Sequence, residues 1–281
     1  MALLSVLTPV LVVIFCLVLG FMLLKSQQTA PITNPRPWVD QDLQDSTETT
    51  EKEDEVDSSE EHCQQVPFST QRYSEETMLK RSKDFYMLMN QRRTVRFFST
   101  EPVPLEVIDN VIHTAGTAPS GAHTEPWVFV VVSDADLKHQ VRLIIEEEEE
   151  LNYRQRMGDK WVQDLSKLKT NWIKDYLDDA PYLILVFKQT YGILSNNKKK
   201  THYYNEISVS ISCGILLAAL QNVGLVTVTS TPLNCGPRLR LLLKRPVNEK
   251  LLMLLPVGYP APDATVPDLA RKPLDRIVVH L

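Results

Sequence analysis

The chain has 281 residues, 43% of them hydrophobic and 23% charged, and a formal net charge of −5. That length allows one large domain or two small ones, and it buries a sufficient core without disulfides or metals. Its nine glycines form no G-x-G, and no G-x-x-x-x-G-K-[ST] occurs, which excludes the glycine-loop nucleotide sites. The composition also excludes collagen-like, low-complexity and disulfide-scaffold classes.

Residues Ala2 to Leu24 carry no charge, and Lys25 closes the run. Twenty-three residues at a helical rise span about 30 Å, one hydrocarbon core. The run is longer than the apolar part of a signal peptide and lacks a basic start, so residues 1–25 are expected to be a membrane anchor. Lys25 and Arg36 follow it and nothing charged precedes it, which votes for a cytosolic catalytic domain in a single-pass membrane protein. The absence of any N-x-[ST] sequon among eleven asparagines agrees. From Asp40 to Glu61 there are eleven acidic residues and one lysine, a local charge of −10. Residues 26–66 therefore read as an acidic disordered linker. Residues 1–39 carry +2, so subtraction leaves +3 for residues 62–281.

The folded domain, residues 67–281, opens with a helix started by Ser74, Glu75 and Glu76 and continued by Met78, Ser82, Phe85 and Met89. Pro104 opens a second helix with the face Val107, Ile108, Val111, Ile112 and Ala115, ending at Gly116. Trp127 to Val132 reads as a strand. Ser133 and Asp136 then start a helix with Leu137, Val141, Ile144 and Ile145, running into five consecutive glutamates, Glu146 to Glu150. Lys138 on this helix is expected at its surface. Trp161, Leu165, Leu168, Trp172 and Tyr176 make a further amphipathic stretch. Tyr182 to Phe187 reads as a buried strand, and Ile207 to Leu220 as a central helix, apolar nearly all round. Leu225 to Thr229 and Leu251 to Val257 are two more strands, and Ile277 to Val279 is strand-like. The expected class is α+β, with helices flanking a small sheet.

Cys16, Cys63, Cys213 and Cys235 form no C-x-x-C, and no H-E-x-x-H occurs, so no metal site is expected. Arg92-Arg93-Thr94-Val95-Arg96 places three guanidiniums and a hydroxyl where a helix ends. Arginine forks match phosphate oxygens, although a basic helix C-terminus facing the dipole would look the same. Arg271-Lys272 is a second basic pair. Ala118 to Pro126 is a loop of small and polar residues against which a flat ring could lie. Thr229, Ser230 and Thr231 put three hydroxyls at a strand end, a common place for a ligand in a sheet protein.

Together these segments resemble the nitroreductase-like flavoprotein superfamily. They match its early R-R-[ST]-x-R, its P-S…P-W loop at Pro119-Ser120 and Pro126-Trp127, and its late Gly258-Tyr259-Pro260 and Arg271-Lys272-Pro273. His123 replaces the loop asparagine of bacterial nitroreductases. The blocks Glu146 to Tyr153, Thr170 to Lys174 and Thr229 to Asn234 are similar to its iodotyrosine deiodinase branch, as is an N-terminal anchor with an acidic linker. The resemblance implies an intertwined homodimer with a helix-flanked mixed β-sheet and FMN at the subunit interface. Arg92, Arg93, Thr94, Val95, Arg96 and Arg271 would hold the phosphate and ribityl end of FMN. Pro119 and Ser120 would meet the ring from the partner chain, and Thr229, Ser230 and Thr231 would border it, with Thr231 at N5 as the catalytic hydroxyl. Ala122, Glu149, Tyr153 and Lys174 would bind the substrate. A glutamate for an ammonium and a lysine for a carboxylate have the signs an amino acid needs, and Glu149 and Tyr153 are four apart on one helix face. The implied reaction is FMN-dependent reductive dehalogenation of mono- and diiodotyrosine, salvaging iodide. Its electrons would come from NADPH through a separate reductase, and no nucleic-acid partner is expected. A general nitro- or quinone reductase using NADPH directly is the rival enzyme, and a flavin-free tethered interaction module the rival of another class.

Overall fold

The computed structural model describes residues 64–281. The expected anchor and all but the last three residues of the expected linker lie outside the described residues. Among the described residues no helix is long and apolar enough to cross a membrane.

Two of the helices begin at short polar side chains that cap them. Helix α1 (Glu75–Asn90) starts at Ser74, whose hydroxyl accepts the Thr77 N–H at 3.3 Å. Helix α2 (Leu105–Ala115) follows Pro104 and stops at Gly116. Strand β1 (Trp127–Val132) leads into α3 (Ala135–Leu151), capped by Asp134, whose carboxylate accepts the Leu137 N–H at 2.8 Å. The expected start at Ser133 and Asp136 is corrected in one residue: Asp134, not Ser133, is the cap, while Asp136 stands in the first turn. The chain continues through a wide helical turn at Asn152–Arg156 into α4 (Asp159–Ser166) and the short α5 (Tyr176–Asp179). Strands β2 (Tyr182–Gln189), β3 (Tyr191–Ile193) and β4 (Lys199–Thr201) precede α6 (Asn205–Asn222). Strand β5 (Val226–Thr227), α7 (Gly236–Leu242) and β6 (Glu249–Gly258) complete the domain before an extended tail.

The main sheet has the order β1-β2-β6-β5, each neighbouring pair antiparallel, and one parallel bridge, Thr94 to Thr227, joins its β5 edge. Side chains alternate across a strand, so β2 serves two cores at once. Leu183, Leu185 and Phe187 pack with Val141, Ile145, Leu177 and Leu239 from α3, α5 and α7. Ile184 and Val186 pack with Ile108 and Val111 of α2 and Val209 and Leu216 of α6. Burial on both faces explains why β2 reads as an unbroken apolar run rather than an alternating one. Helix α6 is central on one side only. Ser212 on its buried face donates to the Ala115 carbonyl at 2.7 Å, while Ile207 and Ile211 on the other side are exposed.

Three expected elements differ. The stretch from Trp161 to Tyr176 is two helices, because Asn171 folds back on itself and its Oδ1 accepts the Ile173 N–H at 2.8 Å. The strand Leu225 to Thr229 pairs only at Val226 and Thr227; two residues then leave the ladder before Ser230 rejoins opposite Leu254. Ile277 to Val279 pairs with nothing and follows a tight turn at Leu274–Arg276.

Lys138 is not a surface residue. It is 6% exposed, and its ammonium donates to the carbonyls of Asp178 at 2.8 Å and Ala180 at 2.7 Å. Those bonds tie α3 to the chain entering β2. Lys138→Met keeps the stem but leaves two carbonyls unpaired. It should lower unfolding free energy in urea by about 1–3 kcal/mol. An unchanged midpoint would show that water replaces the ammonium without cost.

Candidate active site

The arginine segment is placed by the sheet edge. After α1 the chain turns extended, and the Val95 N–H donates to the Thr227 carbonyl at 3.1 Å. Val95 points into the core at 6% exposure, so its side chain lines neither cavity described below and its N–H is already used. Alternation then sends Arg92, Thr94 and Arg96 to the opposite side. The tail returns over them: Arg271 donates to Asn90 Oδ1 at 3.1 Å and to the Arg92 carbonyl at 2.8 Å, and Arg93 donates to the Pro267 carbonyl. Arg92, Arg93, Thr94, Arg96, Arg271 and Lys272 thereby line one cavity of about 1290 Å³.

The Arg93 and Arg271 guanidiniums are held by neutral oxygens. Among the described residues no carboxylate lies within ion-pairing distance of Arg92, Arg93, Arg96 or Arg271. Burial, with the like charges of Arg271 and Arg93 behind it, pulls the Arg92 guanidinium below its usual range. A concentrated positive charge with no internal counter-charge is the donor set an anionic phosphate completes.

Arg96 also lines a second, smaller cavity of about 270 Å³, together with Glu149, Tyr153, Lys174, Thr229, Ser230 and Thr231. The structure thus brings three expected substrate residues and three expected ring-bordering hydroxyls to one hollow. The bulge that takes Val228 and Thr229 out of the ladder is what exposes this triplet. Tyr153 is 9% exposed, wedged edge-on against Trp161 at 4.7 Å and Trp172 at 5.9 Å between ring centres. The Lys174 ammonium lies 5.7 Å from the Tyr153 ring centre and donates to the Asn171 carbonyl.

Each of the five glutamates has its own partner. Glu146 pairs with Arg142, Glu147 with Arg238, Glu148 with Arg156 and Glu150 with Arg154. Glu149 alone has no arginine; it receives only an Asn152 amide at 3.3 Å and the field of Lys174. Burial pushes the Glu149 carboxyl up, and Lys174 only partly offsets it. Burial pulls the Lys174 ammonium down, against the attraction of Glu149 and with help from Arg96. The Tyr153 phenol is pushed up to about 12 by burial and then by Glu149, so it stays a hydroxyl. An opposite pair that costs energy to bury is completed by a ligand carrying both charges reversed.

Pro119, Ser120 and Ala122 line neither cavity. Their loop is pinned elsewhere: Ser120 accepts the Glu125 N–H at 3.0 Å, and a Cβ on Gly121 would meet the Tyr203 carbonyl oxygen at 2.6 Å. Ala122 sits at φ 48° in the left-handed region. Sequence reasoning missed Met157, Thr170 and Leu233 as lining residues and treated Trp161, Leu165 and Tyr176 as core. The signal available was the concentration of aromatic rings between Tyr153 and Tyr176 in a chain only 7% aromatic.

The Nitroreductase family model matches residues 89–259. The chain is 66% identical to an iodotyrosine deiodinase of Danio rerio, over 99% of each chain. It is 63% identical to iodotyrosine deiodinase 1 of Homo sapiens, over 97% of this chain and 98% of that one. A solved iodotyrosine deiodinase bound to FMN and 3-iodo-L-tyrosine superposes with a TM-score of 0.59 at 33% identity, covering 70% of this chain and 97% of that one. An FMN-bound nitroreductase from Bacteroides fragilis has the same fold, with a TM-score of 0.54 at 19% identity. The chain belongs to the nitroreductase family, and the relatives that match it over nearly its whole length are iodotyrosine deiodinases.

The raised Glu149 carboxyl has a consequence for stability. The folded state holds its proton to higher pH than the unfolded chain does. Its contribution is therefore intact below the ordinary carboxylate range and is lost as pH rises through the raised value. Glu149→Gln should raise the urea midpoint of ligand-free protein at neutral pH, and the gain should shrink on acidification. A lower midpoint at neutral pH would mean that Lys174 more than compensates the buried charge.

Proposed function

We propose that the chain is an FMN-dependent iodotyrosine deiodinase that reduces mono- and diiodotyrosine to tyrosine and iodide. The observation that carries this reading is the half-buried Glu149 and the buried Lys174, with Tyr153, in the same cavity as Thr229, Ser230 and Thr231. Its charges are the reverse of an amino acid's. Glu149 accepts from the ammonium, Lys174 donates to the carboxylate, and the Tyr153 hydroxyl adds a bond while its ring closes the hollow. Ala122 is assigned to the phenolate end of the substrate.

The residues present fit FMN. Arg92, Arg93, Arg96 and Arg271 supply charge that nothing among the described residues neutralises, Thr94 adds a hydroxyl, and Arg96 joins the phosphate cavity to the substrate cavity. FMN, when bound, supplies the two electrons that break the carbon–iodine bond, iodide leaving as a proton takes its place on the ring. Thr231 is assigned the hydroxyl bond to flavin N5. Thr229 and Ser230 border the ring, and the aromatic wall of Tyr153, Trp161 and Trp172 excludes water from it. Pro119 and Ser120 serve the partner's site, since within one chain their loop lines neither cavity. A homodimer is supported by unpartnered apolar surface: α1 buries no residue and exposes Met78, Leu79, Phe85 and Tyr86, and Ile207, Ile211 and Ile277 are exposed as well. NADPH is the ultimate reductant through a separate reductase, and residues 1–25 anchor the enzyme in a plasma or vesicle membrane with the domain in the cytosol.

In a water-excluded site one charged contact is worth about 10- to 150-fold in affinity. Glu149→Gln should weaken 3-iodotyrosine within that range and scarcely alter 2-iodophenol, which has no ammonium. Glu147→Gln, exposed and paired with Arg238, is the control. Arg271→Ala should purify depleted of FMN. Equal losses for both ligands would favour a general nitro- or quinone reductase, and full flavin content in Arg271→Ala would remove the phosphate assignment.

A further inference from the structure

Lys174 sits in a segment without helix or strand, between α4 and α5. Two bonds shape that segment from within: Asn171 Oδ1 with the Ile173 N–H, and the Asn171 carbonyl with the Lys174 ammonium. Both move with the loop, so neither fixes Lys174 relative to Glu149 on α3. Leu177 anchors the turn that follows, being fully buried and bonded through its N–H to the Lys174 carbonyl at 2.9 Å. The register against α3 comes from Glu146. Its Oε1 accepts the Lys174 main-chain N–H at 2.6 Å and the Arg142 Nε at 2.8 Å. Arg142 reaches on to Asp175, the residue after Lys174, and to Asp178 Oδ2 at 2.9 Å. Both members of the clamp are largely covered, each with a side chain 19% exposed, so water screens these bonds weakly.

We propose that Arg142 and Glu146 are positioning residues that set the Lys174 ammonium at its distance from the Glu149 carboxylate, and with it the length of zwitterion the site accepts. Neither lines the substrate cavity. Glu146 and Glu149 are three apart on one helix, so a bond from Glu146 to the Lys174 peptide transmits the helix geometry to both ends of the ligand. A purely architectural role would not need this bond. Lys138 already ties α3 to the Asp178 and Ala180 carbonyls, and Leu177 already fills the core beneath α5. What Arg142 and Glu146 add is contact with residues 174 and 175.

The inference rests on the reading of Lys174 as the carboxylate anchor, and the experiment separates the two. The FMN-loaded enzyme is titrated with 3-iodotyrosine and with 2-iodophenol, following flavin absorbance, for Lys174→Met, Glu146→Ala, Glu146→Gln and the double variant Lys174→Met, Glu146→Ala. Glu146→Ala should weaken 3-iodotyrosine about five- to thirty-fold and leave 2-iodophenol nearly unchanged. Glu146→Gln, which keeps the accepting oxygen, should recover most of the loss. The double variant should bind 3-iodotyrosine no worse than Lys174→Met alone, since one interaction cannot be removed twice. Arg142→Lys keeps the charge but cannot bond Glu146, Asp175 and Asp178 together, and should show the same ligand selectivity if Glu146→Ala does not fold. Loss of 3-iodotyrosine binding in Lys174→Met with none in Glu146→Ala and Arg142→Lys overturns the positioning role alone. No loss in Lys174→Met overturns the substrate reading and this inference with it. Additive losses, or equal losses for both ligands, would make the clamp merely structural.

Discussion

One main-chain hydrogen bond at a sheet edge sets out the site. The Val95 N–H bonded to the Thr227 carbonyl docks the arginine segment beside β5, and the parallel bridge of Thr94 to Thr227 orients it. From that register, Arg96 reaches the hollow bordered by Thr229 to Thr231, and Arg92 meets the returning tail at Arg271. The two halves of the site, 130 residues apart in sequence, are thus aligned by backbone geometry before any side chain selects a ligand. Beneath them the doubly buried β2 and β6 hold the edge still, each buried leucine adding about 1.5–3 kcal/mol.

The site itself is built on charge left incomplete. Arg93 and Arg271 are anchored on carbonyl and amide oxygens rather than carboxylates, and Glu149 is the member of a glutamate run to which no arginine is assigned. Elsewhere the chain neutralises its charges: Arg245 and Glu249 make a two-pronged pair at 2.7 and 2.8 Å, and Glu148 is matched by Arg156. The contrast separates structural ion pairs from functional ones. Under the proposed function, stability is given up where a ligand is to supply the missing partner, the usual relation between folding and function at a binding site.

Much of this was legible in the sequence, for physical reasons that name themselves. The β2 and β6 runs are apolar because their strands are buried, and Ser74 and Gly116 mark helix ends because the backbone there needs a cap or a stop. The arginine cluster stood out by charge density, and Glu149 with Tyr153 by spacing. The reading was less able where side chains act on distant backbone. Lys138 has the spacing of a surface lysine, yet carbonyls forty residues onward draw it inside. Asn171 breaks a promising amphipathic run with one local bond. Within the glutamate run, Arg142 and Arg154 stand four residues from Glu146 and Glu150, a spacing that marks those two as matched, whereas the partners of Glu147 and Glu148 lie at other spacings. Pro119, Ser120 and Ala122 line neither of the two cavities described, and the sequence assigned them only through resemblance.

The proposed role of Glu149, a half-buried carboxyl that an ammonium completes, is tested most directly on ligand binding. Calorimetric titration of 3-iodotyrosine into the FMN-loaded enzyme, repeated in buffers of different ionisation enthalpy, counts the protons exchanged on binding. On the acid side of neutrality a ligand that binds as phenolate gives up its phenol proton to solvent in any variant, and the raised Glu149 carboxyl should lose its own proton as the ammonium arrives. The unaltered protein should therefore release more protons than Glu149→Gln, with the excess growing as pH falls toward the carboxylate range. The same release from both proteins, or none from either, would contradict the account.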